Sequence, residues 1–73
     1  MNPYILISTS YAGMITYGIA YAEYDDGRAY LIEVYPDLSP LQSRVQQLVD
    51  FCNDVHLPRH RLHEAVSRFL EAS

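Results

Sequence analysis

The sequence predicts an α+β fold, in which a three-stranded antiparallel β-meander is followed by an αα-hairpin packed on one face of the sheet (βββαα). Three runs of alternating apolar residues occupy residues 3–35, a pattern typical of β-strands. Short glycine-containing segments separate these runs, which favours hairpin turns. From residue 39 onward apolar residues recur every three or four positions, which is typical of helices that bury one side. We interpret residues 1–73 as a single domain.

Strands are expected over residues 3–11, 14–24 and 28–35. Ala12-Gly13 lies between the first two strands, and Asp25-Asp26-Gly27 lies between the second and the third. Glycine tolerates the positive φ that tight hairpin turns require, so both segments are predicted to be turns. Pro36-Asp37 is expected to end the third strand.

The two faces of the sheet are predicted to differ in their role. Because strand side chains alternate, the helices can cover only one face. The covered face is expected to carry the larger apolar residues, which are Ile5, Ile7, Tyr17, Ile19, Tyr21, Ile32 and Val34. Exposed apolar patches usually mark an interface. We therefore predict that the other face binds a protein partner of unknown identity or a second copy in a homodimer, through Tyr4, Leu6, Ala20, Ala22, Tyr24, Leu31 and Tyr35.

The first helix is expected over residues 39–55, with Ser39 as its N-cap and Pro40 at the first helical position. Its predicted buried stripe consists of Leu41, Val45, Leu48, Val49, Cys52 and Val55. The second helix is expected from Pro58 to about Ala72. Its predicted apolar stripe consists of Leu62, Ala65, Val66, Phe69 and Leu70.

Composition narrows the possible functions. The chain has a net charge of −4 with five arginines and no lysine, which is too little positive charge for a typical nucleic-acid-binding surface. Residues 4–7 form an apolar run that is too short for a signal peptide, and no segment approaches the roughly 20 apolar residues that cross a bilayer. We therefore expect a cytoplasmic protein that does not bind membranes.

One cluster of residues suggests metal or thiol chemistry. Cys52, His56, His60 and His63 fall close together in the sequence, and zinc accepts both thiolate and imidazole ligands. However, Cys52 belongs to the predicted buried stripe, where its thiolate would be disfavoured. The expectation is therefore that the chain holds no metal and no cofactor, has no catalytic residue and is not an enzyme.

The second helix suggests a nucleic-acid-binding alternative. It carries Arg59, Arg61 and Arg68, together with His60 and His63, and follows a short turn as in a helix-turn-helix. The leading interpretation is a small non-catalytic protein-binding module, either a regulator or an inhibitor of a host or phage protein. The alternatives are a helix-turn-helix-like nucleic-acid-binding protein and a metal- or thiol-dependent enzyme.

The sequence resembles a small family of uncharacterised bacterial proteins, a domain of unknown function common in Firmicutes. The resemblance is carried by Tyr17-Gly18-Ile19, Val45, Leu48-Val49, Cys52-Asn53, Leu57-Pro58, His60, Leu62, Val66 and Phe69-Leu70. Members of the family usually have a serine where this chain has Leu57. The family has no assigned activity, so the resemblance implies no functional residue.

Overall fold

The computed structural model describes residues 2–72. In this range three antiparallel strands form one open sheet and two helices follow it, which confirms the predicted α+β arrangement. The strands are β1 (Tyr4–Tyr11), β2 (Met14–Asp25) and β3 (Arg28–Ser39), in the spatial order β1-β2-β3. The helices are α1 (Gln42–Asp54) and α2 (Leu62–Ala72), and a 3-10 turn (Arg59–Arg61) leads into α2. The predicted single domain also includes Met1 and Ser73, which lie outside the described residues.

Both predicted hairpin turns are confirmed. Ala12 and Gly13 have φ values of 52° and 79°, and Asp26 and Gly27 have φ values of 53° and 77°. A two-residue turn with positive φ at both central positions matches the right-handed twist of the strands that it joins. The two turns therefore fix where each strand pair begins.

The pairing of β1 with β2 decides which residues of β1 lie under the helices. The structure pairs Leu6 with Ile19 and Ile5 with Ala20. Directly opposed residues share a face of the sheet, and Ile19 belongs to the buried core with the helices. Leu6 therefore faces the helices and Ile5 faces away from them. The prediction that Ile5 and Ile7 lie on the covered face is wrong, because a two-residue turn pairs even-numbered residues of β1 with odd-numbered residues of β2.

A β-bulge in β3 changes the face to which this strand presents its side chains. Leu31 pairs with Ala22 and Glu33 pairs with Tyr21, so Ile32 has no partner of its own. An extra residue on one strand shifts the register by one position and exchanges the two faces beyond it.

The bulge explains a second wrong expectation about the covered face. Beyond it, Tyr35 pairs with Ile19 on the helix side, whereas Val34 pairs with Ala20 on the opposite side. Val34 and Ile32 are both exposed, although both were expected under the helices. Their predicted placement corresponds to the register that β3 would have without the bulge.

Pro36-Asp37 was predicted to end the third strand, but β3 continues to Ser39. The two residues instead form a second irregularity inside β3. The pairing moves from Tyr35 opposite Ile19 to Ser39 opposite Tyr17, so residues 36–38 face Gly18 alone. A Cβ atom at Gly18 would overlap the carbonyl oxygen of Tyr35 and lie 2.8 Å from the Cα atom of Pro36. Glycine is therefore required where β3 crosses close to β2.

Helix α1 begins at Gln42, not at Ser39 as predicted. The Ser39 hydroxyl accepts a hydrogen bond of 3.0 Å from the backbone amide of Leu41, which forms a local turn before the helix. Leu41 occupies the N-cap position and makes no side-chain capping bond. Leu41 and Val55 are exposed, so the predicted stripe is wrong at both ends. Its four central members are buried as predicted: Val45, Leu48, Val49 and Cys52.

The end of α1 is a Schellman motif, which turns the chain toward α2. The amide of Leu57 donates to the carbonyl of Cys52 at 2.9 Å, and the amide of His56 donates to the carbonyl of Asn53 at 3.2 Å. His56 has a φ of 52°, in the left-handed region that usually takes glycine. The motif places Leu57 against the core, next to the start of the 3-10 turn.

Helix α2 packs its apolar side against the sheet and α1. Leu62 and Val66 are buried, and Ala65 and Phe69 are half-buried, as predicted. Leu70 is exposed, contrary to the predicted stripe.

Tyr4 connects the first strand to the end of α1. Its side chain is buried in the core, and its hydroxyl donates to the Leu57 carbonyl at 2.5 Å. Its backbone amide donates to the Asn53 side-chain oxygen at 3.0 Å, and its carbonyl accepts from the Asn53 side-chain nitrogen at 2.9 Å. Tyr4 lies on an edge strand, so its outward backbone groups have no neighbouring strand. Asn53 satisfies both of them at once.

We expect Asn53→Ala to destabilise the fold by about 1–3 kcal/mol, because the amide and carbonyl of Tyr4 would lose their partners in a partly buried position. Urea unfolding provides the measurement. Gln46→Ala is the matched control, since it removes a side-chain amide of α1 that bonds only to exposed Asp50. Equal losses in the two variants would contradict the assigned role of Asn53.

We expect His56→Gly to raise the free energy of unfolding by about 0.5–1 kcal/mol, because a left-handed conformation costs a residue with a Cβ atom about that much or more. The control is Val55→Gly, whose φ of −89° gives glycine no advantage. We expect that variant to lose stability. A thermal melt in which both variants fall by the same amount would refute the Schellman assignment.

Candidate interaction surfaces

The face of the sheet that points away from the helices forms the first candidate surface, which we call the open sheet face. Strand pairing places the following large and small apolar residues on it: Ile5, Ile7, Ala20, Ala22, Leu31 and Val34. Ala20 and Ala22 occupy the central strand and are buried, because larger side chains flank them on both sides. Leu31 and Val34 are exposed.

The open sheet face lacks charge over most of its area. Among the described residues, no residue of β1 or β2 that points to this side is charged. The same holds for the paired positions 29, 31 and 34 of β3. Asp37 borders its far end, where it lines a pocket with Thr9, Tyr11 and Pro36. An uncharged apolar sheet face without a covering layer is typical of an interaction surface.

The predicted interface residues divide between the two faces. Ala20, Ala22, Tyr24 and Leu31 lie on the open sheet face, as expected. Tyr4, Leu6 and Tyr35 lie on the helix side, so their predicted placement on the face away from the helices is wrong. The reason is the register described above, which exchanges the faces of β1 and of the second half of β3 relative to β2.

The second candidate surface lies between the two helices, and we call it the helix groove. It has a volume of about 480 Å³. Its lining combines apolar residues with arginines: Arg44, Gln47, Leu48, Phe51, Leu57, Arg61, Glu64, Ala65, Arg68 and Phe69. Phe51 is 53% exposed and forms part of its wall. The sequence alone does not reveal this groove, because Phe51 lies beside the buried stripe of α1 and no sequence pattern links Arg44 to α2.

The charged residues of the helix groove interact with one another. Arg61 donates to Glu64 at 3.0 Å, and Arg68 lies 3.5 Å from the same carboxylate. The hydrogen bond from Arg61 and the positive charges of Arg61 and Arg68 lower the pKa of Glu64. The guanidinium of Arg44 lies over the ring of Phe69, 5.7 Å from its centroid. All three arginines therefore have a contact with another residue of the groove.

The cysteine and histidines that suggested a metal site have different surroundings. Cys52 is buried in the core, whereas His56 and His60 are exposed, and the ring of His63 lies 6.3 Å from that of Tyr35. Across residues 2–72, no three His, Cys, Asp or Glu side chains form a group that could hold a metal ion. The expected absence of metal, cofactor and catalysis stays a prediction.

The buried thiol is poorly suited to nucleophilic chemistry. Burial raises the pKa of Cys52 from 9.0 to about 11, so the thiol is protonated near neutral pH. The thiolate is the reactive form of cysteine. A thiol-dependent reaction at this position is therefore not favoured by its surroundings.

The basic residues around the start of α2 are engaged with acidic partners. Arg59 lies 3.4 Å from Glu33, and its guanidinium lies 5.9 Å from the centroid of the Tyr21 ring. Arg61 and Arg68 share Glu64, as described above. A phosphate backbone, like any other anionic partner, would have to compete with these carboxylates.

Comparison of the chain with protein-family models, with curated proteins and with solved structures finds no match. The family resemblance inferred from the sequence therefore stays a prediction. Within residues 2–72, no helix combines the length and the apolar character needed to cross a membrane.

We expect the stability of the protein to fall at alkaline pH because of two buried groups. Burial, followed by nearby Cys52, Tyr21 and Glu33, raises the pKa of Tyr4 from 10.0 to about 12, and the pKa of Cys52 rises from 9.0 to about 11. The folded state thus holds protons that the unfolded state has released. Their contribution is complete below pH 9 and is lost as the pH rises toward 12.

Urea unfolding at a series of pH values measures this loss. Cys52→Ala should delay the onset of the decline to the range in which unfolded tyrosine ionises, near pH 10. If wild type and Cys52→Ala decline in parallel from the same pH, then the Cys52 thiol is not the group responsible.

Proposed function

We propose that the chain is a small, non-catalytic protein-binding module, and that its open sheet face binds a second copy of the chain. The observation that carries the proposal is the uncovered apolar surface formed by Ile5, Ile7, Leu31 and Val34 around two central alanines. The small central residues allow the second copy to approach closely, while the larger flanking residues supply apolar surface that is buried on association.

Charge supports a second copy as the occupant of the open sheet face. The chain has a net charge of −4, so two copies repel each other at a distance, and a stable contact between them requires a surface that carries little charge. Within residues 2–72 the paired strand positions of this face carry no charged side chain, and Asp37 borders only its far end, whereas Glu23, Asp25 and Glu33 point to the other side of the sheet. Two copies that meet through the central part of their open sheet faces therefore bury no unpaired charge. A two-fold symmetric pair is the commonest arrangement for small protein assemblies.

The helix side remains available in such a pair. A regulator or inhibitor would use that side to contact the protein that it controls, whether a host or a phage protein. We assign no substrate and no catalytic residue, since the buried thiol of Cys52 is protonated near neutral pH and no three metal-binding side chains come together among residues 2–72.

We expect wild type to sediment as a dimer and Leu31→Arg to sediment as a folded monomer, because the new charge would be buried between the two sheets. Tyr30→Arg is the matched control. Tyr30 is 48% exposed and Leu31 is 49% exposed, but Tyr30 pairs with Glu23 and points to the other face. Sedimentation velocity measures the mass, and circular dichroism checks folding. A monomeric wild type, or a dimer that Leu31→Arg leaves intact, would refute the proposal.

A further inference from the structure

We infer that the helix groove is a second binding site, separate from the open sheet face, and that it binds an acidic amphipathic helix of another protein. The shape of the groove, its lining and the distribution of charge in the chain all favour this ligand, whether or not the chain forms the proposed dimer.

The spacing of the lining residues matches a helical ligand. On α1 the groove is lined by positions 44, 47, 48 and 51, and on α2 by positions 64, 65, 68 and 69, with Arg61 just before that helix. The α1 set spans about two helical turns and the α2 set about one and a half, each on one side of its helix. The groove is therefore long enough for about two turns of a third helix, roughly 10 Å. Ligand helices bind such grooves through apolar residues spaced i, i+3 or i+4, and i+7.

The floor of the helix groove is apolar. Leu48 is buried, and Leu57 and Ala65 are half-buried. Phe51 and Phe69 add aromatic surface along the walls. This surface suits leucine-like side chains and does not suit phosphate groups, which favours a peptide over a nucleic acid.

Charge is segregated toward the groove. Three of the five arginines line it, together with one of the nine acidic residues. The rest of the chain carries two arginines and eight acidic residues. The groove is thus the basic part of an acidic protein, and charge complementarity selects an acidic ligand.

The arginines lie at both ends of the groove. Arg44 contacts the ring of Phe69, so the start of α1 lies beside the end of α2. Arg61 lies at the opposite end, close to the chain reversal at Leu57. Glutamates or aspartates that flank an apolar stripe would therefore meet a guanidinium at each end, and they would compete with Glu64 for Arg61 and Arg68.

The openness of the groove favours a helix over a small amphiphile. Small ligands usually lie in clefts that enclose most of their surface. Here the wall residue Phe51 is 53% exposed, and the side chain of Arg68 is 78% exposed. A helix needs only one of its faces covered, which fits a groove that is open along its length.

The test uses a fluorescein-labelled synthetic helix of about 15 residues with a leucine stripe flanked by glutamates, and a second peptide with lysine in place of each glutamate. Fluorescence anisotropy measures the affinity of both for the dialysed wild type. We expect the acidic peptide to bind at least about tenfold more tightly than the basic one. We also expect binding to weaken as salt is added.

Variants locate the binding site. Arg68→Glu should lower the affinity for the acidic peptide and raise it for the basic peptide, because it reverses the charge of an exposed groove residue. Arg28→Glu is the matched control, since Arg28 lies beside the β2–β3 turn and is absent from the groove lining. Phe51→Ser should lower the affinity for both peptides, because it removes apolar surface from the wall of the groove. Leu31→Arg, which disrupts the proposed dimer, should leave peptide binding unchanged, so the two proposals can fail separately.

Several outcomes would overturn the inference. Equal affinities for the two peptides, equal effects of Arg28→Glu and Arg68→Glu, or no binding of the acidic peptide at about 1 mM would each do so. Displacement of the peptide by dodecanoate at lower concentration would identify a small amphiphile as the ligand. Tighter binding of a single-stranded oligonucleotide would identify a nucleic acid. Loss of self-association in Arg68→Glu would show that a second copy occupies the groove.

Discussion

The fold depends on the contact between the first strand and the end of α1. Three hydrogen bonds join Tyr4 to this region: two to the side-chain amide of Asn53 and one to the carbonyl of Leu57. The Schellman motif at His56 puts the Leu57 carbonyl within reach of the buried phenol. These bonds join residues that are separated by 49 and by 53 positions in the chain. They hold α1 at a fixed position across the sheet. The buried stripe of α1 then packs on Ile19 and Tyr4.

Much of the fold could be predicted from local signals in the sequence. Asp26-Gly27 and Ala12-Gly13 indicated the turns because their positive φ values suit few residue types. The centre of α1 was predictable because its apolar residues recur at the helical period. The pairing of β1 with β2 could also have been predicted from the sequence, since a two-residue turn fixes which residues of β1 face the helices. The β-bulge at Ile32 could not be predicted from the sequence, because no residue type marks it. The bulge exchanges the two faces of β3 beyond that point.

The candidate surfaces were harder to predict than the fold. The open sheet face was expected, but three of its seven predicted residues lie on the helix side because of the register. The helix groove was not expected, since its lining comes from two helices that tertiary packing brings side by side. Arg44 and Phe51 are seven positions apart on α1, so the one signal available was their shared helix face. Their proximity to Arg68 and Phe69 depends on tertiary packing.

Asn53 has a consequence for how the sheet meets other chains. Its amide occupies the position that the backbone of a fourth strand would take beside Tyr4, so an extended segment cannot pair with β1 there. On the opposite edge, Pro36 lacks an amide donor and Asp37 adopts a φ of 59°, which interrupts the ladder of β3. Both edges are thus locally unsuited to strand addition, a protection against edge-to-edge aggregation in native β-sheets. These edge positions are thereby closed to an added strand, whereas the broad surface of the sheet is left uncovered.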